Sequence, residues 1–114
     1  MITFSLGSLA LACKCPHRSP PALLKQSRSI FLGVATKETV DGHIYFKIQK
    51  TWKGLENQQE VDLKFRNFER CGVNPTMGHS YLVFVKRDRI DSCSIKEAVF
   101  SDKEVTYLNR HKTP

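Results

Sequence analysis

Four cysteines, Cys13, Cys15, Cys71 and Cys93, are the residues of this chain whose type and spacing promise chemistry. The first two form a CxC, Cys13-Lys14-Cys15. Four thiolates can hold a structural zinc, but such sites are usually built from paired CxxC knuckles, and Cys71 and Cys93 have no close cysteine partner. Two disulfides in a small exported domain are the expected use. Cysteines separated by one residue pair poorly with each other, so each should reach a distant one. That leaves Cys13–Cys71 with Cys15–Cys93, or the crossed alternative.

Export is expected from the residues ahead of the CxC. Met1 to Ala12 (MITFSLGSLALA) carry no charged side chain and end in Ala10-Leu11-Ala12, the small-x-small pattern that signal peptidase accepts. Cleavage there leaves Cys13 as the first residue. No Lys or Arg precedes the apolar stretch, as in a truncated leader. A lipoprotein signal wants Leu three residues before the cysteine, where this chain has Ala10, so a lipid anchor on Cys13 is not expected. The stretch is about a dozen residues long, too short for the ~20 of a membrane-spanning helix.

Other reactive groups form no constellation. His17, His43, His79 and His111 are dispersed, without HxxxH or other metal-ligand spacing. His17, next to Cys15-Pro16, falls at the CxC edge. Asp41, Asp88 and Asp91 read as turn formers. There is no GxSxG, P-loop or dinucleotide fingerprint. Neither enzymatic activity, nor a cofactor, nor a metal of its own is expected.

Charge speaks to partners. Eighteen Lys and Arg against eleven Asp and Glu give a net charge of +7, which favours anionic partners such as nucleic acid or heparin-like and cell-wall polymers. The cations are scattered over predicted strands and turns. Lys47, Lys64 and Arg66 are the candidates for a basic binding face. Tyr45 shares the outward parity of Lys47 and is where a base would stack. An exported, disulfide-bonded protein meets little nucleic acid, so that partner is not expected.

The elements that must position the cysteines are mostly strands. With 114 residues, 40% hydrophobic and 25% charged, the chain suits one globular domain over residues 13–114. Ser19-Pro20-Pro21 followed by Ala22 to Gln26 predicts a short helix capped by Ser19. Ser29 to Thr36 is a nearly continuous apolar strand, with Gly33 marking a bend. A hairpin turn over Lys37 to Gly42 leads to His43–Trp52, where Ile44, Phe46 and Ile48 alternate with Tyr45, Lys47 and Gln49. Lys50 and Trp52 continue the inward parity, which calls for a bulge near Lys50. Val61, Leu63 and Phe65 mark a third strand and Ser80 to Val85 a fourth. A weaker fifth falls around Ser94 to Phe100. Ser101 with Glu104 reads as a capping box opening a terminal helix through Val105 and Leu108. Ile44, Phe46, Ile48, Trp52, Val61, Leu63 and Leu82 should face inward. Five short curled strands and two helices predict a mainly β fold, a five-stranded closed barrel of OB type, with a two-sheet sandwich as the alternative.

In this order the pieces resemble the netrin-like domain, specifically the N-terminal domain of the tissue inhibitors of metalloproteinases and their bacterial single-domain relatives. The matching pieces are Cys13-Lys14-Cys15, Ser29-Ile30-Phe31-Leu32-Gly33-Val34 and Lys50-Thr51-Trp52-Lys53-Gly54. Cys71-Gly72, Gly78-His79-Ser80-Tyr81-Leu82-Val83-Phe84 and Cys93-Ser94 complete the series over nearly all of residues 13–114. The resemblance implies an OB-like barrel with bridges Cys13–Cys71 and Cys15–Cys93. It also implies inhibition of a zinc metalloprotease, with the amine and carbonyl of Cys13 on the protease's zinc and Lys14 in its specificity pocket. The further disulfides and second domain of the animal inhibitors are missing, the Lys37–Gly42 hairpin is short, and Lys14 replaces a small or modestly polar residue. The alternative expectation is a monomeric extracytoplasmic module of the same kind that binds protein or polyanion without inhibiting.

Overall fold

The computed structural model describes Cys15, residues 18–66 and residues 73–111. Ser19 opens helix α1 (Pro20–Gln26): its hydroxyl accepts the Ala22 N–H at 3.4 Å, and Pro20 needs no donor in the first turn. Strands β1 (Ser29–Glu38) and β2 (His43–Lys53) are joined by a turn in which the Gly42 N–H bonds the Thr39 carbonyl. Then come β3 (Glu60–Arg66), β4 (Ser80–Val85), β5 (Arg89–Asp91) and β6 (Ile95–Glu97). A 3-10 turn (Ala98–Phe100) leads into helix α2 (Asp102–Arg110). The strands form one curled sheet in the order β5-β3-β2-β1-β4-β6. All neighbours are antiparallel except β3 with β5.

The mainly β class and both expected helices are present, with six strands where five were expected. The fifth begins earlier and is interrupted. Asp91 breaks it, accepting the Cys93 N–H at 2.8 Å and the Ser94 hydroxyl at 3.0 Å on one carboxylate oxygen. The two end strands of the sheet, β5 and β6, are thus consecutive in the chain, separated by Ser92-Cys93-Ser94.

Apolar residues are buried on both faces of the sheet. On the inner face Phe31, Ile44, Phe46, Leu63, Tyr81, Val83 and Ile90 form one cluster, with Ile48 and Val61 partly buried against it. The Phe31 and Phe46 rings meet edge-on at 5.6 Å. On the outer face Ile30, Trp52, Leu82, Phe84 and Leu108 form a second cluster, covered by Leu23 and Leu24 of α1 and Val105 of α2.

Trp52 and Leu82 therefore do not face inward as expected. The register passes from Leu32 opposite Lys50 to Gly33 opposite Ile48, leaving Gln49 as the extra residue of a bulge. The bulge falls beside Lys50, as expected, and reverses parity beyond it. Leu82 alternates with Tyr81 and Val83, which belong to the inner cluster, so it must point the other way. Gly33 permits this close pairing: a Cβ there would meet the Phe31 ring at 2.9 Å and the Lys47 carbonyl at 3.0 Å.

Helix α2 is fastened through side chains. Asn109 Oδ1 accepts both the Trp52 indole N–H and the Lys50 ammonium, each at 2.9 Å. Ser101 precedes the helix but makes no capping box. Its hydroxyl donates to the Ala98 carbonyl at 2.8 Å, and Glu104 pairs with Lys96 instead of turning back to the cap. No helix among the described residues is long and apolar enough to cross a membrane.

Candidate functional site

Cys15 and Cys93 form a disulfide with their Cα atoms 5.6 Å apart, spanning 78 positions in sequence. Cys93 sits at the joint between β5 and β6, and that joint is held from several sides. Besides the bonds to Asp91, the Ser92 carbonyl accepts the Val73 N–H at 2.8 Å and the Ser94 carbonyl accepts the Phe84 N–H at 2.9 Å. Ser92 itself is fully buried. A short strand interrupted by Asp and Ser thus gives the bridge a fixed base. Cys13, Lys14, His17 and Cys71 lie outside the described residues, as does the expected bridge Cys13–Cys71.

The same joint walls a groove of about 870 Å³ lined by residues of both clusters, Ile95 and Val73 with Leu23 and Phe84. Cys15, Cys93, Ile95, Pro20 and Leu23 of α1, Phe84, Phe100 and Lys103 are among the residues that line it. Lys96 and Glu104 meet within it at 2.9 Å. Sequence reading missed this groove because its residues belong to five separate elements. Phe100, an apolar residue outside any strand period and directly before a helix, was the available signal.

The expected basic face is broken up by cross-strand neighbours. Lys47 lies opposite Glu60, and Lys64 opposite His43 on β2 and Arg89 on β5. Arg66 lies opposite Asp91. Lys64 lies opposite Arg89, which follows the exposed Lys86, Arg87 and Asp88 in sequence and has the Asp88 carboxylate 3.9 Å from its Nε.

Beside Lys64, Asp62 lies opposite Tyr45, and its carboxylate bonds His43 Nδ1 at 3.1 Å. The negative charge of Asp62, and the hydrogen bond it accepts from the phenol, hold the Tyr45 pKa above its ordinary value. Lys37 stands over the Tyr45 ring at 5.7 Å, and Asp62 opposite Tyr45 puts a carboxylate on a face where a nucleic-acid surface would want only cations. His79 and His111 are exposed, the latter stacked on Tyr107 at 4.0 Å. Among the described residues no three His, Cys, Asp or Glu converge on a metal position. Neither the family models nor the curated proteins compared with this chain match it.

Proposed function

We propose that this chain is an exported netrin-like domain of OB type that inhibits a zinc metalloprotease through a mature N-terminus at Cys13. The Cys15–Cys93 bridge carries the reading, because it ties Cys15 of the CxC to a joint held by hydrogen bonds to Asp91, Val73 and Phe84. Two residues upstream, Cys13 can lie no more than about 7 Å from Cys15 along the backbone. A terminus so restrained loses little entropy when a partner immobilises it. The pairing order supports the barrel. β1, β2 and β3 form a meander, β1 also pairs β4, β3 runs parallel to β5, and residues 89–97 reach from one end strand to the other.

Inhibition then follows from coordination chemistry. The protease's catalytic zinc keeps an open position for water. The Cys13 amine and carbonyl oxygen chelate the zinc together, displacing that water and expanding the metal from four- to five-coordinate. The amine binds unprotonated, which an α-amino pKa near ~7.7–8.0 makes inexpensive at neutral pH. Lys14 enters the specificity pocket and selects a protease whose pocket is acidic or long and open.

The test is a panel of zinc proteases from the organism's own secreted set, assayed with chain beginning at Cys13 and with the same chain carrying one extra alanine. Inhibition by the first form and its loss by orders of magnitude in the second, at unchanged melting temperature, is the expected result. Equal inhibition by both forms, or none by either, overturns the reading.

The net charge of +7 and the cross-strand pair Lys64 and Arg89, with Lys86 and Arg87 just ahead of Arg89 in sequence, favour a second reading, a polyanion-binding module. Such a module ignores the N-terminal alanine, weakens with rising salt and loses binding in Lys64→Glu.

A further inference from the structure

The tip of the β1–β2 hairpin holds the one aspartate of the chain that glycine follows, Asp41-Gly42. Val40 is wholly exposed beside it and Asp41 is exposed, so no packing shields the tip. An aspartyl carboxyl is open to attack by the amide nitrogen of the next residue when that residue is glycine, because no Cβ stands in the way. Space is free at Gly42 as well: a Cβ there would meet nothing nearer than the Phe65 carbonyl at 3.9 Å.

Both reacting groups are tied to a single residue. The Thr39 hydroxyl donates to Asp41 Oδ1, and the Thr39 carbonyl accepts the Gly42 N–H at 3.1 Å. Thr39 is in turn pinned across the hairpin. Its N–H bonds the His43 carbonyl at 2.8 Å, and its hydroxyl accepts the His43 N–H at 3.1 Å. The same hydroxyl, with smaller pulls from His43 and Lys64, holds the Asp41 pKa below its ordinary value. The carboxylate thereby stays ionised, and an ionised carboxylate is a poor electrophile.

We propose that Asp41-Gly42 is a site of spontaneous aspartate isomerisation that Thr39 holds in check. In the reaction the Gly42 nitrogen gives up its proton and bonds Cγ of the protonated Asp41 carboxyl, whose hydroxyl leaves with that proton as water. The succinimide so formed takes one water back at either carbonyl and opens to aspartate or to isoaspartate. Isoaspartate puts an extra carbon into the main chain between Asp41 and Gly42, inside the turn that Thr39 and His43 close. The Gly42 carbonyl accepts the Phe65 N–H at 2.8 Å, so the change reaches β3.

The test ages the full oxidised chain in mildly acidic buffer at physiological temperature, beside Thr39→Val and Thr39→Ser. Intact mass shows the succinimide as the loss of one water. The protease Asp-N reads position 41, since it cuts before aspartate and not before isoaspartate. Isoaspartate should appear slowly at Asp41 and form about three- to tenfold faster in Thr39→Val, the factor that loss of an ordinary hydrogen bond permits. Thr39→Ser keeps the hydroxyl and should stay near the parent rate. Asp91-Ser92 should remain intact, because Ser92 is fully buried and the Asp91 carboxylate is held by Cys93 and Ser94. In urea that unfolds both chains, the parent and Thr39→Val should react at one rate. No isoaspartate at position 41 in any folded form, equal rates in the parent and Thr39→Val, or an equal rise in Thr39→Ser overturns the proposal. A rate difference that survives in urea also overturns it, since the restraint would then lie in the sequence and not in the fold.

Discussion

The inner and outer apolar clusters are built from the same strands but held by different means. The inner cluster is closed by backbone: β1, β2 and β3 curl around Phe31, Phe46 and Tyr81, each almost wholly shielded from water. The outer cluster is closed by two helices laid over Ile30, Trp52, Leu82 and Phe84 and fastened by side chains, Asn109 to Trp52 and Lys50, and Lys53 to the Leu24 carbonyl at 2.9 Å. Curl of the sheet makes the first region, whereas a few polar fasteners decide whether the second stays dry. Exchange of α2 amides by local opening, with β1 and β4 still protected, would sharpen that contrast.

The largest effect expected is from Phe46→Ala. It empties the centre of the inner cluster and should cost about 3–5 kcal/mol in denaturant unfolding, through lost transfer energy and a cavity beside Phe31. A loss below about 1 kcal/mol would mean the inner cluster is not the stable half. Leu108→Ala should cost about 2–4 kcal/mol and act locally, speeding exchange in α2 while the inner strands keep their protection. Equal loss of protection in both regions would erase the distinction. Asn109→Ala removes the shared acceptor of Trp52 and Lys50 and should cost about 1–2 kcal/mol, visible as a shift in Trp52 fluorescence.

The smallest effects are electrostatic, on the strand surface and in the β1–β2 turn, outside both clusters. The raised Tyr45 pKa contributes stability that is complete below the ordinary tyrosine value and is lost as pH rises through the elevated one. Asp62→Asn should bring that titration back down, read at Tyr45 by NMR. Asp41 has the opposite sign. The Thr39 hydroxyl bonded to it holds its pKa below the ordinary value. Its contribution is present above the ordinary aspartate pKa and fades as pH falls through the depressed one. Thr39→Val should raise that midpoint.

The same two regions mark how far the sequence could be read. Alternation of Ile44, Phe46 and Ile48 revealed the inner face, and Ser19 with Pro20 revealed α1, because both signals are local in the chain. The bulge beside Lys50 was legible too. Its consequence for Trp52 was not, since parity after a bulge depends on which residue is doubled, and that is set by pairing with β1. Leu82 was misassigned because β4 is apolar on both faces, and such a strand carries no period. The capping box failed because Glu104 meets Lys96, a partner eight residues back that no helix signature contains. At the candidate site the cysteine spacing was legible, whereas the groove, assembled from distant elements, was not.

The joint at Ser92-Cys93-Ser94 also has a bearing on how copies of this chain behave at high concentration. The strands at the two ends of the sheet are three residues each. A foreign strand docking there would find too short a ladder of open amides and carbonyls to template growth, and a lysine and two arginines lie on or beside them at Lys96, Arg87 and Arg89. The segment that interrupts the fifth strand thereby protects a sheet with long, apolar central strands from edge-to-edge aggregation. Reducing the bridge at Cys93 loosens that guard, and self-association that grows with both reductant and protein concentration is the behaviour to expect.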